Sequence, residues 1–361
     1  MKADRHILVL CMHHIDRAPN QRFRIEQYVP YLRENGVELT FSPLLSKEDD
    51  AVFYRPGNLF KKIQIVLRSI RQRRRDLQRA SQFDAVLIIR EALFIGPPRI
   101  ERKLRKKGLT VIYDFDDAIW KLDVSRANRW FGFLKFPGKT AAIIRLADKV
   151  IAGNEYLADY AKAFNPNVHI IPTTVETRTF LPGKKDASSP VVIGWSGSLT
   201  TIKHFRIAVP VLKKLREHYG DRIRFKVIGH AGFSEEELGI RGTAWSSERE
   251  LEELQEIDIG IMPLPDDEWS KGKCGLKGLV YMSIGIPSVM SPVGVNTQII
   301  RHGENGFLAG TEAEWFEILS LLIESPELRK QIGSSGRQTV VENYSVLANR
   351  ENYLNILGKS S

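Results

Sequence analysis

Cysteine is nearly absent. Two thiols, Cys11 and Cys274, in 361 residues cannot build a disulfide framework or a zinc cluster, which excludes stapled secreted scaffolds and points to a reducing compartment. Both read as small core residues. Long apolar runs are missing too: none approaches the roughly 20 residues of a membrane-spanning helix. The first apolar stretch, HILVLCM (6–12), is short and no small-residue cleavage site follows it, so it reads as a buried strand and not a signal peptide. No short-period repeat is present.

What is there is a globular composition, 43% hydrophobic and 27% charged. The length suggests two domains. The net charge of +10 is unevenly spread. Residues 1–180 carry 32 Lys and Arg against 20 Asp and Glu, whereas residues 181–361 carry 21 against 23. A basic first half implies an anionic partner for that half.

Short runs rich in Val and Ile alternate with helical stretches. In the first half the strands read 6–12, 37–41, 85–90, 110–115, 149–154 and 168–172, with a helix over 22–36. They are continuous and do not alternate, as parallel strands covered on both faces should be. Residues 177–190, TRTFLPGKKDASSP, break the rhythm and read as a linker. The pattern then restarts with strands at 191–195, 224–229, 257–263 and 286–291 and helices over 208–220, 247–256 and 314–333. This predicts two doubly wound, Rossmann-like domains in series: 1–176, the linker 177–190, and 191–340. A closing helix in 341–361 is expected to pack back across the junction. In such sheets ligands bind beyond the carboxyl ends of the strands.

Two stretches of the second half carry anion-site chemistry. IGWSGSLTTIKHF (193–205) runs from a strand into a Gly/Ser loop, where Gly197 and Ser198 offer backbone N–H groups and Lys203 adds charge. WSKGKCGLKGLVYMSIGIPSVMSPVG (269–294) places Lys271, Lys273 and Lys277 around Gly275 at the start of a helix. That arrangement suits a diphosphate.

The run LVYMSIGIPSVMSPVG, the turn HGENGFL and the loop GSLTTIK together resemble retaining glycosyltransferases of the GT-B fold, the glycosyl transferases group 1 or family-four superfamily. NQRFRIEQYVPYLRENG, ERKLRKKGLTVIYDFDDAIW and ADKVIAGNEYLADYAKAFNPNVHIIPTTVET resemble a bacterial subgroup that acts on polysaccharide or cell-surface glycan precursors. The resemblance implies an α/β protein of GT-B architecture, two Rossmann-like domains facing each other across a cleft. It implies a nucleotide-diphosphate sugar as donor, bound by the second domain, and a lipid-linked or surface-glycan acceptor at the first. It implies retention without a protein nucleophile and no required metal or other cofactor. The family's two motif glutamates fall on Gly272 and Val280 here, and its loop arginine on Ser198; only the lysine is kept, as Lys203. A lysine-rich GKCGLK loop stands in place of the acidic motif, so Lys273 and Lys277 are expected to take over phosphate contacts. Trp245 lies where the family holds the nucleobase.

IYDFDDAIW (112–120) packs Asp114, Asp116 and Asp117 into four positions, the pattern of a metal-bound diphosphate. Such metal motifs belong to glycosyltransferases of the other, single-domain fold, so Asp114 is read instead as an acceptor-binding residue or general base at a strand end. Asp116 and Asp117 are expected to open a short helix, AIWKL, either lining the acceptor side or pairing with Arg22, Arg24 or Arg90. His13, His14, Arg22, Arg24 and Asn154 complete the expected acceptor side. Residues 59–79 read as a basic amphipathic helix, and 128–139 as interfacial aromatics among basic residues; both suit an anionic membrane surface. No nucleic-acid module is recognisable. The expectation is a cytoplasmic glycosyltransferase, peripheral on the inner face of the membrane. A nucleotide-sugar 2-epimerase of the same fold and a binding scaffold that has lost catalysis are the rivals.

Overall fold

A computed structural model describes residues 4–54, 57–121, 136, 138–183 and 190–358. The chain divides into two compact units, Met1–Thr173 with Asn349–Ser361, and Thr174–Ala348.

The first unit is built on six strands: β1 (Arg5–Cys11), β2 (Val37–Pro43), β3 (Ala85–Ile89), β4 (Thr110–Phe115), β5 (Lys149–Ala152) and β6 (Val168–Ile170). They form one parallel sheet in the order β2-β1-β3-β4-β5-β6. β3 is apolar at every position because both faces are covered, and all five of its residues are buried. β1 is followed to one side by β2 and to the other by β3. The direction of winding therefore reverses between the carboxyl ends of β1 and β3, the place where such sheets bind ligands.

The second unit repeats the scheme with β7 (Val191–Ser196), β8 (Ile223–Ile228), the two-stranded β9 (Ser234–Glu235) and β10 (Ile240–Arg241), then β11 (Ile259–Met262), β12 (Ser288–Met290) and β13 (Phe307–Leu308). The parallel sheet runs β13-β12-β11-β7-β8, so its reversal lies between β7 and β11. Its core joins Trp195, Ile193 and Ile261 of the sheet to Phe205, Leu212 and Leu215 of helix Ile202–Tyr219 and to Trp315 and Leu319 of helix Glu312–Glu324.

Several helices differ from the sequence reading. The stretch 22–36 is not one helix but Pro19–Arg22, a 3-10 turn at Glu26–Tyr28, and Val29–Glu34. Pro30 lacks the N–H that a continuous ladder would need and is placed in the first turn of the last piece. Likewise 314–333 is two helices, Glu312–Glu324 and Pro326–Asn343, separated at Ser325, whose extended backbone is what a residue before proline prefers. Of AIWKL, residues 118–121 form no helix, with Ile119 and Trp120 in a turn, and Leu122 lies outside the described residues. The closing helix is Val346–Leu357, and the chain rejoins the first unit within it, at Asn349.

Candidate functional site

In the second unit, the loop after β7 and the loop after β11 meet at the reversal point. Close packing fixes the first loop. Gly229 (φ +105°) follows β8, and a Cβ there would sit 1.7 Å from the Gly197 carbonyl oxygen. The Gly197 amide donates to Ile228 (2.9 Å), and the Ser196 amide donates to the Tyr281 hydroxyl (2.7 Å). The Thr201 hydroxyl oxygen accepts from the Ser198 amide (2.9 Å), and helix Ile202–Tyr219 begins immediately after it.

The second loop is shaped by two further glycines. Gly275 takes φ +70° directly before helix Leu276–Ser283, and a Cβ there would meet Ile299 at 2.3 Å. Gly294, at φ +55°, lies against the Lys271 backbone, where a Cβ would be 2.8 Å from the carbonyl oxygen. Lys273 is held over the Trp269 ring (5.0 Å to its centroid) and Lys277 over that of Trp195 (5.6 Å). Lys271 is directed elsewhere, toward Asp266 (3.5 Å) and Glu268 (3.7 Å).

His204 was not singled out by the sequence reading. It follows Lys203 in the first turn of helix Ile202–Tyr219. It is only 4% exposed, and its Nδ1 has no hydrogen-bond partner among the described residues. Burial, then the positive charges of Lys277, Lys273 and Lys203, push its pKa down to about 4. Lys277, Lys273 and Lys203 all lie near enough to act on this imidazole electrostatically. An anion received there would meet three ammonium groups and the start of helix Leu276–Ser283. The two positions aligned with family glutamates hold no acid: Gly272 caps helix Glu268–Lys271, and Val280 is buried. Trp245 is half-buried and donates to Glu250 (2.9 Å).

In the first unit, some predicted acceptor residues belong to the framework. Asp114 is 3% exposed and takes a two-point ion pair from Arg24, Nε to Oδ1 at 3.1 Å and Nη2 to Oδ2 at 2.7 Å. Arg24 is itself buried and also donates to the Ile171 carbonyl. Neither is placed as an accessible base or anion receptor, which corrects both expectations: a buried guanidinium holds the carboxylate away from solvent. Asn154 is also corrected. It is buried as the cap of helix Glu155–Lys162, accepting from the Leu157 amide at 2.9 Å.

Asp116 and Asp117 both receive the Arg90 guanidinium, Asp116 at 2.7–2.8 Å. Burial raises the Asp116 pKa, and Arg90 opposes the rise. Arg90 itself sits at φ +62° directly after β3, its amide donating to the Asp114 carbonyl at 2.8 Å. The three aspartates therefore face guanidinium groups, and no group of three or more His, Cys, Asp or Glu able to hold a metal exists among the described residues. Arg22 pairs with Asp16 (2.8 Å). The His14 Nδ1 lies 2.8 Å from the Ile15 carbonyl oxygen. His13 follows β1, at the reversal point, with its Nδ1 2.9 Å from Asp50 and its Nε2 3.2 Å from the Tyr54 hydroxyl.

Helix Leu59–Gln78 spans the stretch expected for 59–79. Ile65, Ser69, Arg73, Asp76 and Leu77 are buried, while Leu59, Phe60, Ile63 and Leu67 are exposed. Arg73 is fully buried, bound by Asp76, Ser42 and the carbonyl of Cys11. Of the second membrane stretch, residues 128–135 and 137 lie outside the described residues; Phe136 is 45% exposed, and Lys139 is buried against Glu91. No described helix is long and apolar enough to cross a membrane.

Residues 190–325 match the family described as glycosyl transferases group 1, a span that contains both lysine-bearing loops. No curated protein matches the chain by sequence. Among solved structures, a glycosyltransferase from Rickettsia africae superposes with a TM-score of 0.66 at 13% identity, covering 98% of each chain. HepE of Anabaena, solved with UDP and glucose, gives 0.68 at 15% identity over 98% of this chain and 99% of that one. Sucrose-phosphate synthase from Thermosynechococcus elongatus gives 0.67 at 13% identity over 96% and 97%. The second unit therefore carries the match to glycosyl transferases group 1, and the chain has the GT-B fold.

Proposed function

We propose that the protein moves a sugar from a nucleotide-diphosphate donor, held by the second unit, to a lipid-linked or surface-glycan hydroxyl bound by the first. The observation that carries this is the pair of glycine-shaped loops beside the reversal point of the second sheet, one leading to Lys203 and the other bearing Lys273 and Lys277, with Lys277 held over Trp195 of β7. Glycosidic cleavage leaves negative charge on the departing diphosphate, and fixed positive groups aimed at it are often the largest catalytic term, about 3–4 kcal/mol per donor. Gly197, Ser198 and Gly275 bring backbone to the same place, and Trp245 is the candidate stacking partner for the base. Because the lysines supply the charge, the reaction needs no metal. Retention of anomeric configuration follows from the family resemblance.

The acceptor side rests on His13 and Arg90 and on the basic helix Leu59–Gln78. That helix exposes Leu59, Phe60, Ile63 and Leu67 beside Lys61, Arg68, Arg71, Arg74 and Arg75, a surface suited to an anionic bilayer carrying the acceptor lipid. The protein is then a peripheral enzyme of the cytoplasmic membrane face. The test is nucleoside diphosphate release from a panel of nucleotide sugars in EDTA, with and without anionic vesicles containing extracted envelope lipids. Turnover that survives EDTA and rises with lipid is expected. A strict Mg²⁺ requirement contradicts the charge assignment. Donor isomerisation without acceptor favours the epimerase, and binding without turnover favours the scaffold.

A further inference from the structure

Two neighbouring helices of the first unit carry outer faces of one sign. Helix Leu59–Gln78 lies between β2 and β3, and helix Arg99–Lys106 between β3 and β4. Both connections step the same way across the sheet, so right-handed crossovers lay both helices on one face of it, where they pack side by side. Each helix contains a single acid, and each acid is turned inward. Asp76 is fully buried against Arg73, and Glu101 is buried, accepting from the Ala92 amide at 3.1 Å. The outer face is left with cations. Arg71, Arg74 and Arg75 of the first helix and Arg102, Lys103 and Lys106 of the second are exposed, and none of the six has an ion-pair partner among the described residues. Arg68 and Arg105, by contrast, are paired with Asp49 and Asp148.

A helix that merely faces water usually interleaves both signs, with acids one turn from the cations they support. Neither helix does so here, and the like charges repel one another unless a surface of opposite sign meets them. The apolar side chains say which surface. Leu59, Phe60, Ile63 and Leu67 are between 46% and 72% exposed. They cluster in the first half of a 20-residue helix, about 30 Å long, and Arg71, Arg74 and Arg75 follow in its second half. A nucleic acid would satisfy the cations through its phosphates but offers nothing to four exposed apolar side chains beside them. An anionic bilayer takes both, headgroups for the cations and the acyl boundary for the apolar cluster.

We propose that helix Arg99–Lys106 is the electrostatic half of a bilayer-docking face whose inserted half is the beginning of helix Leu59–Gln78. This rests on the membrane-face reading above and adds a second helix to it. One modest apolar anchor holds a protein to a bilayer only marginally, and stable attachment takes an anchor together with a polybasic patch. The two helices supply one each. Because the apolar cluster lies at one end of its helix, that end dips toward the acyl chains, while the cations farther along it and on its neighbour meet lipid phosphates. Attachment is then reversible. It is set by the anionic lipid fraction and by ionic strength, because exposed charges are screened beyond about 8 Å at physiological salt.

The experiment measures co-sedimentation of the full chain with vesicles of phosphatidylcholine alone, or of phosphatidylcholine and phosphatidylglycerol in equal parts, across a salt series. It compares wild type, Arg102→Gln/Lys103→Gln/Lys106→Gln and Phe60→Ser/Ile63→Ser. Phe60→Trp, read by quenching from brominated acyl chains, reports insertion, and thermal stabilisation by nucleoside diphosphates checks the fold and the donor site of each. Wild type should bind only the phosphatidylglycerol vesicles and leave them as salt rises. The triple variant should lose about 10- to 100-fold in partitioning, at about fivefold per cation, and Phe60→Ser/Ile63→Ser should weaken binding as well. Equal binding by the triple variant and wild type overturns the proposal and leaves the membrane-face reading of helix Leu59–Gln78 standing. Undiminished binding by Phe60→Ser/Ile63→Ser, or an unquenched Phe60→Trp, overturns the insertion. Tighter binding of single-stranded RNA than of vesicles at the same salt overturns the lipid assignment. Wild type that ignores both vesicles overturns the proposal and the membrane-face reading together, and nucleotide stabilisation then tests the donor site by itself.

Discussion

His204 offers the sharpest energetic handle on the donor site. Its pKa lies below the ordinary value because burial and three lysines disfavour the imidazolium. The sign follows directly. Above pH 6.5 the imidazole is neutral in both folded and unfolded chains and contributes nothing. As pH falls below 6.5 the unfolded chain takes up a proton that the folded one refuses until about pH 4. Folding stability is therefore lost on acidification through this window. For a drop from 6.5 to about 4 the loss between about pH 7.5 and pH 5 is about 2 kcal/mol; solvent screening at the lysine ammonium groups trims it to between about 1 and 2 kcal/mol.

His204→Gln has no such titration. Urea unfolding of wild type and variant at the two pH values isolates it, because the carboxylates that also titrate there are common to both and cancel in the difference. Wild type should lose about 1–2 kcal/mol more than His204→Gln on going from pH 7.5 to 5. Saturating nucleoside diphosphate should shrink that excess, because its oxygens offset the lysine charge and let His204 protonate. Parallel losses in the two proteins, or an excess indifferent to nucleotide, would refute the claim that the lysines act on this imidazole.

Other substitutions separate framework from site. Asp114→Asn leaves the Arg24 guanidinium buried without its charge partner and should cost about 3–5 kcal/mol by urea midpoint; nucleotide stabilisation of the second unit should persist, and a loss below about 1 kcal/mol would contradict the buried pair. Gly275→Ala forces an L side chain to φ +70° and a Cβ to 2.3 Å from Ile299, for about 2–4 kcal/mol in total. Adding Ile299→Val should recover the steric part alone, and full recovery would show that backbone strain was negligible.

The sheets were legible because buried parallel strands announce themselves as unbroken Val/Ile runs. The lysine loop was legible because Gly275 and Gly294 bracket it with backbone that few other residues tolerate. His204 was not, since in TTIKHF it reads as one more position of a helix; the available signal was its place next to Lys203, in the first turn after a glycine loop. Asp114 misled for a related reason. A strand-end aspartate suggests chemistry, and nothing local says that Arg24, 90 residues earlier, will bury against it. Asp50 and Tyr54 escaped notice because their tie to His13 is equally non-local. On helix Leu59–Gln78 the periodicity was clear, but charge alone could not foretell that Arg73 and Asp76 form a buried ion pair.

The most direct test of the central claim is a thermal-unfolding panel of nucleosides, nucleoside diphosphates and nucleotide sugars in EDTA, on wild type and Lys273→Ala/Lys277→Ala. A diphosphate at 100 times its dissociation constant stabilises by about 2.7 kcal/mol, well within reach of such a scan. The account predicts stabilisation of wild type by one diphosphate series and its loss in the double variant. Equal stabilisation of both proteins, or stabilisation only when Mg²⁺ is supplied, would contradict it.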